Sequence, residues 1–272
     1  VRGNSNSNVR FTGAVMSNDA RFVVFTSMAT NLGGTDFAGG LSENAFVRDR
    51  LLGTTTCLSC LENGAGAAEG AGDVLISGDG RYAFFASSSA ELIGPGASGV
   101  SSAIFRRDLS TNEQQIVSRG LSGAPTTPTG SWSTTDDGSR VVFQARPASG
   151  IGWVALLFDV SSGVTTLASS DESDEAIHNN SGSKGPSLSP DGRYVAFYSG
   201  GGTFRDNVFV RDYVTGRVRA AGERPGGIGV DGFYFSFVFD PTSTLALVGT
   251  DEPLSDADGN RAGDLYLVGL PL

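Results

Sequence analysis

The densest set of chemistry-bearing side chains is Asp256-Ala257-Asp258-Gly259-Asn260, followed by Asp264. Oxygen donors at alternate positions around a glycine can wrap a hard cation, and calcium selects this kind of spacing. Gly259 precedes Asn260 rather than following it, and no glutamate closes the loop at the distance an EF-hand needs. The expected metal ligands are Asp256, Asp258, Asn260 and Asp264, with an Asx-type turn in a solvated loop as the alternative. Asp36 with Glu43, and Asp206, occupy related loops with fewer donors.

Cys57-Leu58-Ser59-Cys60 forms a C-x-x-C pair. On an extended strand the two Cα atoms would stand about 10 Å apart, whereas a disulfide needs less than about 7 Å. Two reduced or buried thiols are the first expectation, and a disulfide requires the strand to end or bulge there. His178 is the single histidine, so a four-ligand zinc site within the chain is excluded. With no G-x-S-x-G elbow in the sequence, His178 reads as a solvated loop residue rather than part of a triad. The run Asp171, Glu172, Asp174, Glu175 reads as a solubilising surface, or as a site for a cation or basic partner. Trp132, Trp153 and Phe233 read as packing residues, with stacking on a sugar ring as the alternative.

The elements that would position these groups come from a repeat. MSNDARFVVFTS, ISGDGRYAFFAS, TTDDGSRVVFQA and LSPDGRYVAFYS recur, with a degraded copy in VFDPTSTLALVGT. Anchored on Asp19, Asp79, Asp137, Asp191 and Asp240, the steps are 60, 58, 54 and 49 residues. A second string follows each copy, as in AFVRDRLLG, IFRRDLSTN, LLFDVSSG, NVFVRDYVTG and DLYLVGLPL. Five units result, about 9–61, 73–119, 131–169, 187–222 and 232–272. Their alternating β-branched and aromatic residues, bounded by Gly, Asp and Ser, are the signature of strands and hairpins, and no stretch has convincing helical spacing. In the fourth unit the expected strands are 187–189, 193–198, 207–212 and 217–221, with Asp191-Gly192 as a two-residue turn. A four-stranded meander cannot bury both faces alone, so the units must stack, and radial stacking gives a β-propeller.

The strings SPDGRYVAF and NVFVRDYVTG resemble the propeller repeat of the TolB-like family, and the resemblance spans nearly the whole chain. It implies an all-β propeller of four-stranded antiparallel blades, a binding role, and a periplasmic or extracellular address in bacteria. Members of that family often have six blades; five are expected here, with the N-terminal segment completing the last blade and removing a sheet edge. The competing reading is a piece of a longer propeller.

Composition narrows the function. The 272 residues include 39 glycines, which points to many turns, and 19 basic against 29 acidic residues give a net charge of −10. Nucleic acid is a poor partner for such a surface. No run approaches the ~20 apolar residues of a membrane span, and the opening Val-Arg-Gly reads as a processed form. The turns after the first and third strands of each unit are short, whereas the loops after the second and fourth are long and variable. Recognition is expected on the long-loop side. Asp49, Asp79, Asp191 and Asp212 recur at fixed turn positions and read as turn chemistry rather than catalytic acids. The resulting expectation is a non-enzymatic propeller binding a protein or cell-surface component. Its alternatives are a calcium-assisted carbohydrate-binding propeller and a propeller glycosidase or lyase.

Overall fold

The computed structural model describes residues 14–32, 42–95, 97–146, 152–177, 185–199, 207–221, 223–224, 228–229, 234–250 and 263–270. Among the described residues, five blade sheets and one two-stranded hairpin follow one another along the chain. Blade one holds β1 (Val15–Met16), β2 (Phe22–Ser27), β3 (Asn44–Asp49) and β4 (Thr54–Cys57). Blade two holds β5 (Gly72–Ile76), β6 (Tyr82–Ser87), β7 (Ala103–Asp108) and β8 (Gln114–Ile116). Blade three holds β9 (Pro128–Thr134), β10 (Arg140–Ala145), β11 (Val154–Asp159) and β12 (Val164–Leu167). Blade four holds β13 (Ser187–Leu188), β14 (Tyr194–Ser199), β15 (Asn207–Asp212) and β16 (Val218–Ala220). After a small hairpin of β17 (Glu223–Arg224) and β18 (Ile228–Gly229), blade five has, among the described residues, three strands, β19 (Tyr234–Phe239), β20 (Leu245–Thr250) and β21 (Asp264–Gly269). The expected β-propeller architecture is observed. The N-terminal segment expected to complete the last blade lies outside the described residues.

The chain forms two compact parts, Val1–Pro128 with Asp136–Gly138, and Thr129–Thr135 with Ser139–Leu272. In the first, Val24, Ala45, Val47 and Leu58 of blade one pack on Val74, Ile76, Phe85 and Phe105 of blade two. In the second, Val142 and Leu157 meet Val195 and Phe197, while Tyr194, Val208 and Val210 meet Phe237, Phe239 and Val248. Alternation explains this: one set of residues on a strand faces the preceding blade, and the other set faces the following one. Each fully buried aromatic or aliphatic side chain contributes about 1.5–3 kcal/mol.

The hairpin between the first two strands is longer than the two-residue turn expected from Asp-Gly. In blade two the Gly80 amide donates to the Ser77 carbonyl at 2.9 Å, and the Ser77 amide donates to the Tyr82 carbonyl at 2.8 Å. Gly80 has a φ of +75°, whereas Asp79 is not in the left-handed region. The Asp79 carboxylate instead accepts from Ser77 Oγ at 2.5 Å and from the Arg81 amide at 2.9 Å. Blade four repeats the design with Ser189, Asp191 and Gly192. The left-handed position is Ala20 in blade one, Gly138 in blade three and Ser243 in blade five. That pattern moves the anchor of the fifth copy. Asp240 occupies the place of Ser77, its amide donating to the Leu245 carbonyl and its carboxylate accepting from the Thr244 and Leu245 amides.

Two other expectations change. Ala90–Ile93 forms one helical turn, α1, in the loop after β6. Its residues favour helix, yet four of them are too few to show a period. Cys57 and Cys60 form a disulfide with a Cα–Cα distance of 5.5 Å. The strand that would have kept the thiols apart ends at Cys57, and Leu58 and Ser59 turn the chain.

Candidate functional site

The recurring carboxylates sit at the short-turn ends of the blades and are saturated. Arg21 pairs with Asp49 at 2.8 Å, Arg81 with Asp108 at 2.9 Å, Arg140 with Asp159 at 3.2 Å and Arg193 with Asp212 at 2.8 Å. The arginines of blades one, two and four also lie over the neighbouring aromatic rings of Phe22, Tyr82 and Tyr194. Each carboxylate then caps its own turn, as when Asp212 accepts from the Val214 amide at 2.8 Å. The Arg193 guanidinium, opposed by burial and aided by turn amides, holds Asp212 at about 2. Burial pushes Asp108 and Asp159 upward, but hydrogen bonds from Ser110 and Arg81, and from Ser161, Ser162 and Arg140, outweigh it and hold both at about 2. Carboxylates fixed as anions by so many donors cannot exchange protons near neutrality. Their role is the turn chemistry expected of them.

On the long-loop side of blades one and two a cavity of about 630 Å³ opens between Thr26, Met28, Glu43, Glu69, Asp73 and Ser87, with Gly70 in its wall. Three carboxylates line it, together with serine hydroxyls and, among the described residues, no basic side chain. Glu43 precedes β3, and its Oε1 is buried without a hydrogen-bond partner. Glu69 and Gly70 end the connection from blade one. The Ala71 amide donates to the Glu43 carbonyl at 2.6 Å, an approach that allows no side chain at Gly70. A Cβ there would stand 2.1 Å from the Glu43 carbonyl oxygen, and its φ is +72°. Asp73 sits in a β-bulge where the ladder slips between Gly72 and Leu75, at a φ of +44°. Non-glycine residues in that region carry backbone strain, and bulges re-aim side chains beside sites. Ser42 Oγ donates to the Ala68 carbonyl at 2.9 Å and Ser87 Oγ to the Gly70 carbonyl at 2.5 Å. These two hydroxyls serve the backbone rather than a general base.

The start of the loop carrying Glu69 is also fixed. Residues 57 and 60 are bridged by the disulfide, and Arg107 Nη1 donates to the Leu58 carbonyl at 2.7 Å. Blades two and three close the same corner differently, with Arg119 Nε donating to the Ile116 carbonyl at 3.1 Å and Ser170 Oγ to the Leu167 carbonyl at 3.5 Å. The disulfide thus takes a structural place that the repeat fills elsewhere with hydrogen bonds.

The other expected site residues separate. Asp256, Asp258 and Asn260 lie outside the described residues, as do Asp36, His178, Asp206 and Phe233. Asp264 opens β21, and its Oδ2 is buried with no hydrogen-bond partner. Among the described residues no group of three or more His, Cys, Asp or Glu side chains is placed to hold a metal ion. The acidic run is partly engaged within the chain, because Asp174 pairs with Arg211 at 3.0 Å and Glu172 with Arg219 at 3.3 Å. Asp171 caps its own turn through the Ser173 and Glu175 amides. Trp132 is buried, and Arg146 lies over Trp153 at 5.3 Å. Glu69 and Asp73 were not apparent as site residues in the sequence. Their one signal is the glycine-rich Glu69-Gly70-Ala71-Gly72-Asp73, which reads as a loop until the bulge places it.

No family model and no curated protein sequence matches the chain. Solved structures do. TolB from Acinetobacter baumannii is 19% identical with a TM-score of 0.50, over 94% of this chain and 51% of that one. This chain therefore spans about half the length of that TolB structure. The β-propeller domain of the trilobed protease from Pyrococcus furiosus is 11% identical with a TM-score of 0.55, over 99% and 72%. Oligogalacturonate lyase from Vibrio parahaemolyticus is 14% identical with a TM-score of 0.57, over 98% and 64%. Among the described residues no helix is long and apolar enough to cross a membrane. With its succession of antiparallel blades and these structural likenesses, the chain folds as a β-propeller, similar in fold to TolB and to the propeller domain of the trilobed protease.

Proposed function

We propose that this propeller is a non-enzymatic binding protein that recognises a protein or cell-surface component through the long-loop side of blades one and two. The observation that carries this reading is the cavity lined by Glu43, Glu69 and Asp73, whose wall is built from a glycine that admits no side chain and a bulge at positive φ. Three carboxylates with no basic residue beside them among the described residues favour a cationic group, so the partner presents a lysine, an arginine or another amine. Binding rather than catalysis is supported by the engagement of Ser42 and Ser87 with backbone carbonyls. The similarity to TolB is compatible with this role, while the similarity to a lyase keeps a polysaccharide-cleaving activity as the rival. A periplasmic or extracellular location fits the same reading.

The test compares the full chain with a Glu43→Gln/Glu69→Gln/Asp73→Asn variant in capture of partners from the native source. The parent should retain a basic partner that elutes with salt and that the variant loses. Equal capture by both proteins would remove the cavity from the binding role, and turnover of uronate-containing polysaccharide by the parent alone would replace binding with lyase chemistry.

A second reading concerns calcium, which the buried, unpartnered Oδ2 of Asp264 supports. Asp264 with Asp256, Asp258 and Asn260 would supply hard oxygen donors to such an ion. Calcium should then raise the melting temperature of the parent and leave that of Asp264→Asn unchanged; identical responses would exclude the site.

A further inference from the structure

One position of the repeat breaks its own rule. Across the ladder, the third residue of each blade's second strand faces Val47, Arg106, Leu157, Val210 and Leu267 in the five blades. Val47, Leu157 and Val210 are buried and belong to the cores between blades. Blade two alone places a cation there, between Phe84 on β6 and Gln115 on β8.

The surroundings of Arg106 are open as well as polar. A cavity of about 470 Å³ is lined by Arg81, Tyr82, Arg106, Asp108, Gln114 and Gln115, with Glu113 at its rim. The equivalent cavity of blade four, where Val210 replaces Arg106, measures about 120 Å³. The Arg106 guanidinium lies over the Tyr82 ring at 3.4 Å, so one of its faces is occupied. Its Nε is buried and has no hydrogen-bond partner. Among the described residues no carboxylate lies within ion-pair distance of it. Asp108 is committed to Arg81 at 2.9 Å, to the Ser110 amide and hydroxyl at 2.8 and 2.6 Å, and to the Thr111 amide. Burial lowers the affinity of the Arg106 guanidinium for its proton and outweighs the opposing influence of Tyr82 and of the Asp108 charge.

A buried donor without an acceptor is costly, and a planar guanidinium with a free edge suits a planar acceptor. The charges nearby limit which one. Arg81 and Asp108 cancel each other, and Glu113 also lines the cavity, so a second negative charge would meet repulsion from both carboxylates. The two glutamine amides offer further donors and acceptors. We propose that this pocket of blade two binds a single carboxylate, supplied by a peptide C-terminus, an acidic side chain or a small free acid. It is separate from the acidic cavity on the long-loop side, and neither site depends on the other.

The test follows the Arg106 Nε resonance of the labelled full chain by NMR. The probes are N-acetylglycine, a short uncharged peptide with a free C-terminus, its amide, the amide carrying one glutamate, and inorganic phosphate. Each probe with one carboxylate should shift the resonance saturably, and the uncharged amide should not; phosphate should bind about tenfold more weakly or worse. A preference for the free C-terminus, the glutamate or N-acetylglycine identifies the source of the carboxylate. Arg106→Val should fold at least as well as the parent, because four blades carry an aliphatic residue there, and should lose about tenfold or more of the affinity, read by calorimetry. Affinity retained in Arg106→Val, or no saturation by any carboxylate below about 10 mM, would overturn the proposal.

Discussion

Two sets of carboxylates in this chain look alike as residues and differ in every physical respect. Asp49, Asp108, Asp159 and Asp212 stand at the short-turn ends of successive blades, each held by an arginine from the preceding hairpin and by its own turn. Glu43, Glu69 and Asp73 stand on the long-loop side and line one cavity, with a buried oxygen of Glu43 unpartnered. The first set is copied from blade to blade and its hydrogen-bonding capacity is filled by the protein. The second belongs to no repeated pattern and retains capacity for something else. Repetition with saturation marks architecture, and irregularity with unfilled capacity marks a place for a ligand.

Substitutions sharpen this contrast. The largest effect is expected at Gly70, where alanine would place a Cβ 2.1 Å from the Glu43 carbonyl and force a left-handed backbone on a residue that resists it. Gly70→Ala should lose about 3 kcal/mol or more of stability by denaturant titration and abolish the cavity's binding. Asp212→Ala comes next, since it strands the Arg193 guanidinium and two turn amides. A loss of about 2 kcal/mol is expected, with binding on the long-loop side intact. The same set of aspartates should govern acid stability. The folded pKa values of Asp108, Asp159 and Asp212, about 2, lie below the ordinary 3.8, and the Arg21 guanidinium lowers that of Asp49 as well, so their contribution is present above about pH 4 and is lost as pH falls toward 2. Circular dichroism against pH should show a shallower acid transition in Asp212→Asn than in the parent. The smallest effect on stability belongs to Glu43→Gln, within about 0.5 kcal/mol of the parent or slightly stabilising, because among the described residues no hydrogen bond holds its buried Oε1. A large loss there would place Glu43 with the structural set and dissolve the distinction.

The sequence made the architecture legible wherever local chemistry repeats. Strand β15 (Asn207–Asp212) ends where its string predicts, and β14 and β16 shift by a residue at each end. Tyr194–Ser199 begins one residue late because Arg193 belongs to the turn that Ser189 and Asp191 close. The fifth copy is misaligned when anchored on its aspartate, because Asp240 stands at the serine position of that turn and Thr242 at the aspartate position. Asp240 accepts both the Leu245 amide, whose counterpart goes to Ser189 Oγ in blade four, and the Thr244 amide, whose counterpart goes to Asp191, so counting on aspartate slips the register by two. The Cys57–Cys60 bridge was hidden because it depends on where a strand stops, which a run of Thr and Cys does not declare. The cavity acids were least visible of all. Glu43 and Glu69 are 26 residues apart in the sequence, and only the contact between the Glu43 carbonyl and the Ala71 amide brings their segments together.

The hairpin position with positive φ has a further consequence, for engineering. Blades two, three and four fill it with Gly80, Gly138 and Gly192, whereas Ala20 and Ser243 hold the same backbone with a side chain attached. The protein therefore carries its own consensus, written three times and departed from twice. Restoring glycine at Ala20 should relieve the left-handed penalty, less the entropy glycine gives up on folding, for a gain of about 0.5–1 kcal/mol, whereas at Ser243 the gain is offset by loss of the hydroxyl that accepts the Asp191 amide. Thermostability in this molecule can be raised by making its outlying copies imitate its middle ones.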